Sequence, residues 1–129
     1  MDNNQKRILI VEDDQFLREF YQELLTAQGY IVDVASEGET ALQKIQSEIF
    51  DLILLDIMMP KKDGLTVLSE LKAKGGIAQT SRIVMLTNLG QDTVIKQCFD
   101  LGASGYLIKS ALNPDQVLVE IQAFLTKSQ

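Results

Sequence analysis

Histidine is absent from this 129-residue chain. Its absence removes the commonest metal ligand and the commonest general base near neutral pH, and with them any good basis for zinc chemistry or a serine–histidine triad. The single cysteine, Cys98, cannot close an internal disulfide, which points to a reducing, cytoplasmic setting. No apolar run reaches the length of a membrane span, and Met1 to Gln5 is polar and lacks the apolar core of a signal peptide. Cations are in deficit: 12 lysines and arginines stand against 18 acids, a formal charge of -6, which argues against non-specific nucleic-acid binding. Linkers, repeats and low-complexity segments are missing too. What remains is ordinary for a globular protein, 46% apolar and 23% charged. The length fits one domain over residues 1–129 with a core of about 6–125.

Within that domain, strand and helix patterns alternate. Apolar strand runs lie at Arg7 to Val11, Tyr30 to Ala35, Leu52 to Leu55, Ile83 to Leu86 and Gly105 to Ile108. Helical spacing fills the intervals. Gln15 to Gln28 carries Leu17, Phe20, Tyr21 and Leu24, with Gly29 as its stop. Glu37 to Glu48 carries Leu42 and Ile45, with Ile49 on the same side. Gly64 to Ala73 follows, broken by Gly75-Gly76. Gln91 to Leu101 places Val94, Cys98 and Leu101 on one stripe. Pro114 to Leu125 has Asn113 as N-cap and Pro114 at the first helical position. Five βα units predict an α/β fold, a five-stranded parallel sheet with helices on both faces in a three-layer (βα)5 sandwich.

The chemistry concentrates at strand ends. Asp56 ends the run Leu52 to Leu55, which reads as a strand buried on both faces. A carboxylate there is costly unless paired, hydrogen-bonded or metal-bound, and the carboxyl end of a strand is where open α/β sheets take their ligands. Glu12 and Asp13 directly follow the first strand. Adjacent acids suit a hard divalent cation, and magnesium uses one or two carboxylates beside waters and phosphate oxygens. The Met58 backbone carbonyl offers a neutral oxygen, and Asp14 reads as a helix cap. Thr87 follows the fourth strand with a hydroxyl suited to a phosphoryl oxygen, and Lys109 follows the fifth with a compact charge suited to phosphate. Alone, Thr87 reads as a strand-end residue and Lys109 as a surface lysine. Together on one sheet edge they make a magnesium and phosphate site in which Asp56 can act as nucleophile, as carboxylates do in aspartyl phosphates. Cys98 lies on an apolar stripe and reads as a buried, inert thiol.

Four segments together resemble the receiver domain of bacterial response regulators: Ile8 to Asp14, Leu54 to Pro60 with Asp63-Gly64, Leu86-Thr87, and Gly102 to Lys109. The resemblance covers about Lys6 to Leu125. It implies a flavodoxin-like sheet in the order 2-1-3-4-5. It implies that Asp56 accepts a phosphoryl group from a histidine kinase, a phosphotransfer protein or a small donor. Asp13, Asp56 and the Met58 carbonyl would ligate Mg2+, with Glu12 helping through water. Lys109 would pair with Asp56 and then with the phosphoryl group, Thr87 would move to bind it, and Tyr106 would turn inward as the switch aromatic. The output face would be roughly Gln91 to Leu125, used for a downstream protein or a homodimer. The chain would be a stand-alone receiver or part of a longer regulator.

Two positions depart from the family pattern. Ser110 stands where proline usually follows the lysine, and a cis bond before serine would cost roughly 2.5–4 kcal/mol. Asn88 follows Thr87 where Ala or Gly is frequent, which predicts an altered phosphoryl lifetime. Other readings are a phosphorylation-independent docking module, a flavodoxin-like cofactor binder, or an aspartate-nucleophile phosphatase of the haloacid dehalogenase type. The last would need a second aspartate at the position of Met58. The cofactor binder would need a phosphate-cradling loop where Glu12-Asp13-Asp14 repels phosphate.

Overall fold

Five short strands lie side by side in one sheet, all parallel, in the order β2-β1-β3-β4-β5. The structure is a computed structural model and describes residues 6–74, 81–88, 92–109 and 113–126. In chain order the elements are β1 (Arg7–Val11), α1 (Gln15–Ala27), β2 (Ile31–Ala35), α2 (Gly38–Ser47), β3 (Leu52–Asp56), α3 (Gly64–Lys74), β4 (Arg82–Thr87), α4 (Asp92–Asp100), β5 (Gly105–Ile108) and α5 (Pro114–Thr126). The five βα units and the strand order expected from the sequence are present. Gly75-Gly76 and the Lys109–Ser110 bond lie outside the described residues.

The alternation of side chains along each strand divides the core in two. Leu9, Val11, Ile53, Leu55, Ile83 and Met85 face one way and pack with Leu42, Ile45, Val67, Leu68, Leu71 and Cys98 of α2, α3 and α4. Ile8, Ile10, Leu52, Leu54, Val84 and Leu86 face the other way, onto Tyr21 and Leu25 of α1 and Val117 and Ile121 of α5. All five residues of β3, Asp56 included, are buried, as befits a central strand covered on both faces.

Local signals decide the helix ends. Asp14 caps α1, its carboxylate accepting the Leu17 amide at 3.0 Å. Gly29, at φ 95°, ends the same helix in the left-handed region, with its amide donating to Thr26. Asn113 and Gln116 bond each other's amides at 2.9 Å at the start of α5. One expectation needs correcting. Ile49 does not share the buried side of α2. Glu48 is already extended, the chain leaves the helix there, and the buried position beneath is taken by Phe50. Ile49 is 65% exposed. Leu25, which the spacing argument passed over, is fully buried because the inward stripe of α1 centres on Tyr21 and Leu25.

Candidate functional site

Each site residue sits where a sheet ladder runs out. The Glu12 amide donates to Ala35 at 3.1 Å, the last bond between the β1 and β2 segments. Beyond β3, the Ile57 amide donates to Leu86 at 3.0 Å, and the Lys109 amide donates to Thr87 at 2.8 Å. The side chains of Glu12, Asp56, Thr87 and Lys109 are thereby delivered to one edge, at the crevice where the order turns from β1 to β3. Glu12, Asp56 and Thr87 are at most 1% exposed, whereas Asp13 is exposed at the rim.

The Lys109 ammonium is the pivot. Its Nζ lies 2.9 Å from Asp56 Oδ2 and 3.0 Å from Glu12 Oε1. These two oxygens are held by its charge and have no well-aligned hydrogen bond among the described residues. The other carboxylate oxygens are spoken for: Asp56 Oδ1 accepts the Met58 amide at 3.2 Å, and Glu12 Oε2 accepts the Asp14 amide at 3.1 Å. Two buried acids therefore share one cation. Burial pushes the Asp56 carboxyl up to about 7; Lys109 pulls it down, and the neighbouring charge of Glu12 pushes it up again. Burial works to lower the Lys109 pKa, but its bonds to Asp56 and Glu12 outweigh that and the net direction is up. The nearby Tyr21 phenol is likewise pushed up, first by burial and then by Glu12.

Oxygens of Glu12, Asp13 and Asp56 converge within 4.8 Å of one another. Buried carboxylate oxygens without a full set of hydrogen bonds, in an all-oxygen set with excess negative charge, fit a hard divalent cation such as magnesium. The Met58 side chain is exposed and carries no acid, so the second aspartate that a dehalogenase-type phosphatase would need is not there.

The remaining expected residues fall around this centre. The Thr87 hydroxyl donates to the Asn88 carbonyl at 3.0 Å. Tyr106 is on the edge strand, 43% exposed, with its ring edge-on to Phe99 at 6.4 Å between centroids. Cys98 is buried, and burial raises its pKa, consistent with an inert thiol.

Two supporting residues escaped the sequence reading. Arg18 donates to the Glu12 carbonyl at 2.9 Å and reaches the Asp13 carbonyl at 3.4 Å, bracing the loop that presents both acids. An arginine one turn into a helix carries no signal of that task. Gly64 begins α3 against the Asp56 carbonyl oxygen, so close that a Cβ would overlap it, while its amide donates to Ile57 at 2.9 Å. The Asp63-Gly64 pair was visible as a motif, and its steric reason was not.

The fold and the sequence have counterparts among known proteins. The family model described as response regulator receiver domain matches residues 8–122. The transcriptional regulatory protein DltR of Streptococcus agalactiae is 38% identical over 116 residues, covering 90% of this chain and 50% of that protein. The chain spans about half the length of the curated relatives it matches. Among solved structures, the chemotaxis protein CheY4 of Vibrio cholerae matches with a TM-score of 0.83 at 28% identity, over 92% of this chain and 98% of that one. The response regulator TrrA of Thermotoga maritima, in complex with Mg2+-BeF, matches with a TM-score of 0.79 at 34% identity, over 93% and 99%. Among the described residues, no helix is long and apolar enough to cross a membrane.

Proposed function

The chain belongs to the response regulator receiver domain family, and from that premise we propose that it is a phosphorylation switch in which Asp56 accepts the phosphoryl group. The observation that carries this reading is the half-buried Lys109 ammonium bridging the buried Asp56 and Glu12 at 2.9 and 3.0 Å. The donor would be a histidine kinase, a phosphotransfer protein or a small phosphodonor, and the catalysis is confined to the protein's own phosphorylation and dephosphorylation. Residues 1–129 act as one receiver domain in the cytoplasm.

In the transfer, a carboxylate oxygen of Asp56 forms a bond to phosphorus as the bond from phosphorus to the donor atom breaks and its electron pair leaves with the donor. Asp56 must be ionised to attack. With its pKa held near 7 by burial, it is only partly so at neutral pH, and positive charge beside it completes the ionisation. Magnesium, held by Asp13, Asp56 and the Met58 carbonyl with Glu12 acting through water, would supply that charge and neutralise the phosphoryl oxygens. Lys109 moves its pairing from the carboxylate to a phosphoryl oxygen. Thr87 rotates its hydroxyl from the Asn88 carbonyl to another. Tyr106 leaves its exposed place beside Phe99 and turns inward.

This movement would be read on the face running roughly from Gln91 to Leu125, where Phe99, Tyr106 and Val119 are exposed. Gln91 itself lies outside the described residues. The reader would be a downstream protein, a second copy or a further domain of a longer regulator, with no direct nucleic-acid contact by this domain. Asn88 next to Thr87 would tune phosphoryl lifetime, and Asn88→Ala should decay at a different rate. The deciding experiment is intact mass after incubation with magnesium and a small phosphodonor, beside Asp56→Asn. Gain of one phosphoryl group, absent in the variant and on chelation, supports the switch. No gain by the wild type, even with a cognate kinase, would favour a docking module.

A further inference from the structure

The loop between β3 and α3 carries Met58, whose amide donates to Asp56 Oδ1 at 3.2 Å, and it is held from outside the site. It is sharply bent. The Lys62 amide donates to the Pro60 carbonyl at 2.8 Å, and Lys61 between them sits at φ 68°, in the left-handed region that a non-glycine residue rarely adopts. Such backbone persists only where the surroundings enforce it. The enforcing contacts converge on Lys62. Its Nζ lies 2.7 Å from Glu70 Oε2 on α3 and 3.1 Å from Glu39 Oε1 on α2, with the lysine side chain 26% exposed. On the other side its backbone presses on Gly38, where an added Cβ would come within 2.7 Å of the Lys62 carbonyl oxygen and 2.8 Å of Val67 Cγ2.

We propose that Lys62 is a positioning residue: by tying the loop to Glu39 and Glu70 over Gly38, it sets the aim of the Met58 backbone at Asp56 and so the affinity of the site for magnesium. The proposal rests on the magnesium-site reading given above. Lys62 touches no reacting atom and acts through the bend centred on Lys61. Loss of its ammonium lets the left-handed residue relax, and the Met58 peptide turns with it. Loss of outer support of this kind weakens metal binding by about tenfold, and two partly exposed ion pairs set the lower end at about threefold.

The test is magnesium titration of the purified protein by calorimetry, with Lys62→Met, Lys62→Arg and Gly38→Ala beside the wild type. Thermal midpoints are recorded for each. Lys62→Met should weaken magnesium binding three- to tenfold, Lys62→Arg should restore most of it, and Gly38→Ala, which displaces the loop without touching a charge, should weaken it as well. Thermal midpoints that fall with unchanged magnesium affinity would reduce Lys62 to a structural tie and overturn the proposal. Equal weakening by Met and Arg would overturn the charge argument. The wild-type titration reads the underlying assumption separately: magnesium binding lost in Asp56→Asn upholds the site, whereas no binding by the wild type overturns that reading and this one with it.

Discussion

Asp56→Asn should make the protein more stable, and by an amount that depends on pH. In the wild type at pH 8, two buried carboxylates face one ammonium; in the variant, Glu12 and Lys109 form a one-to-one pair. The folded pKa of Asp56 lies at about 7 against an ordinary 3.8. Between those values the folded protein holds a proton that the unfolded chain has released, so the stability of the wild type falls as pH rises through the window from about 4 to 7. At 1.36 kcal/mol per pH unit, the full displacement is about 4 kcal/mol. Because Asp56 is coupled to the charges packed against it, about 1–3 kcal/mol of this should emerge as the difference between wild type and variant. For a chain of this size that is a rise in midpoint of roughly 4–12 °C at pH 8, shrinking to less than half of that at pH 5 and towards zero only below about pH 4, where Asp56 is neutral in the folded and the unfolded chain alike. Far-ultraviolet circular dichroism melts of both proteins at pH 5, 6, 7 and 8, with chelator, read the difference directly. Magnesium should then narrow the gap at pH 8, because it stabilises the form that binds it. A gap independent of pH, or a variant less stable than wild type at pH 8, would refute the reasoning that Asp56 carries a buried charge at its own expense.

Two further substitutions probe the same edge. Lys109→Met leaves Glu12 and Asp56 buried without a cation and should cost about 3–5 kcal/mol at pH 8, less at pH 5 where Asp56 takes up a proton; urea unfolding at the two pH values measures both. Gly64→Ala drives a Cβ into the Asp56 carbonyl oxygen and should cost about 1–3 kcal/mol while slowing phosphoryl uptake, to be checked by urea midpoints and intact-mass time courses.

The architecture was legible because the three central strands, β1, β3 and β4, are buried on both faces and write themselves as unbroken apolar runs. Leu52 to Leu55 could only be a central strand, and Asp14 and Asn113 announced the helices they cap. The failures fall where tertiary packing overrode a local pattern. Ile49 continued the period of α2 on paper, but the chain had to leave the helix in time to bury Phe50 and enter β3. At the site, the residues that the structure brings to one sheet edge, Glu12, Asp56, Thr87 and Lys109, were legible by type and by position after a strand. The residues that brace them were not: Arg18 and Lys62 are surface cations by composition, and only their partners, two carbonyls in one case and two glutamates in the other, distinguish them.

The same edge offers a route by which the proposed phosphorylation would reach a distant face. Lys109 is bonded through its backbone to Thr87 and through its side chain to Asp56, and Tyr106 lies three residues before it on the same short strand. Within the sheet, Tyr106 pairs with Met85 and Ile108 with Thr87, so β5 and the end of β4 share one register. A phosphoryl group on Asp56 would add negative charge where two acids already strain one lysine, and the cheapest relief is movement of the two donors nearest to hand, Lys109 and Thr87. Both are fixed to β5, one by sequence and one by the ladder. On the proposed reading, the aromatic on that strand would be the first exposed group to be disturbed by their displacement, and its edge-on contact with Phe99 would carry the disturbance onto α4.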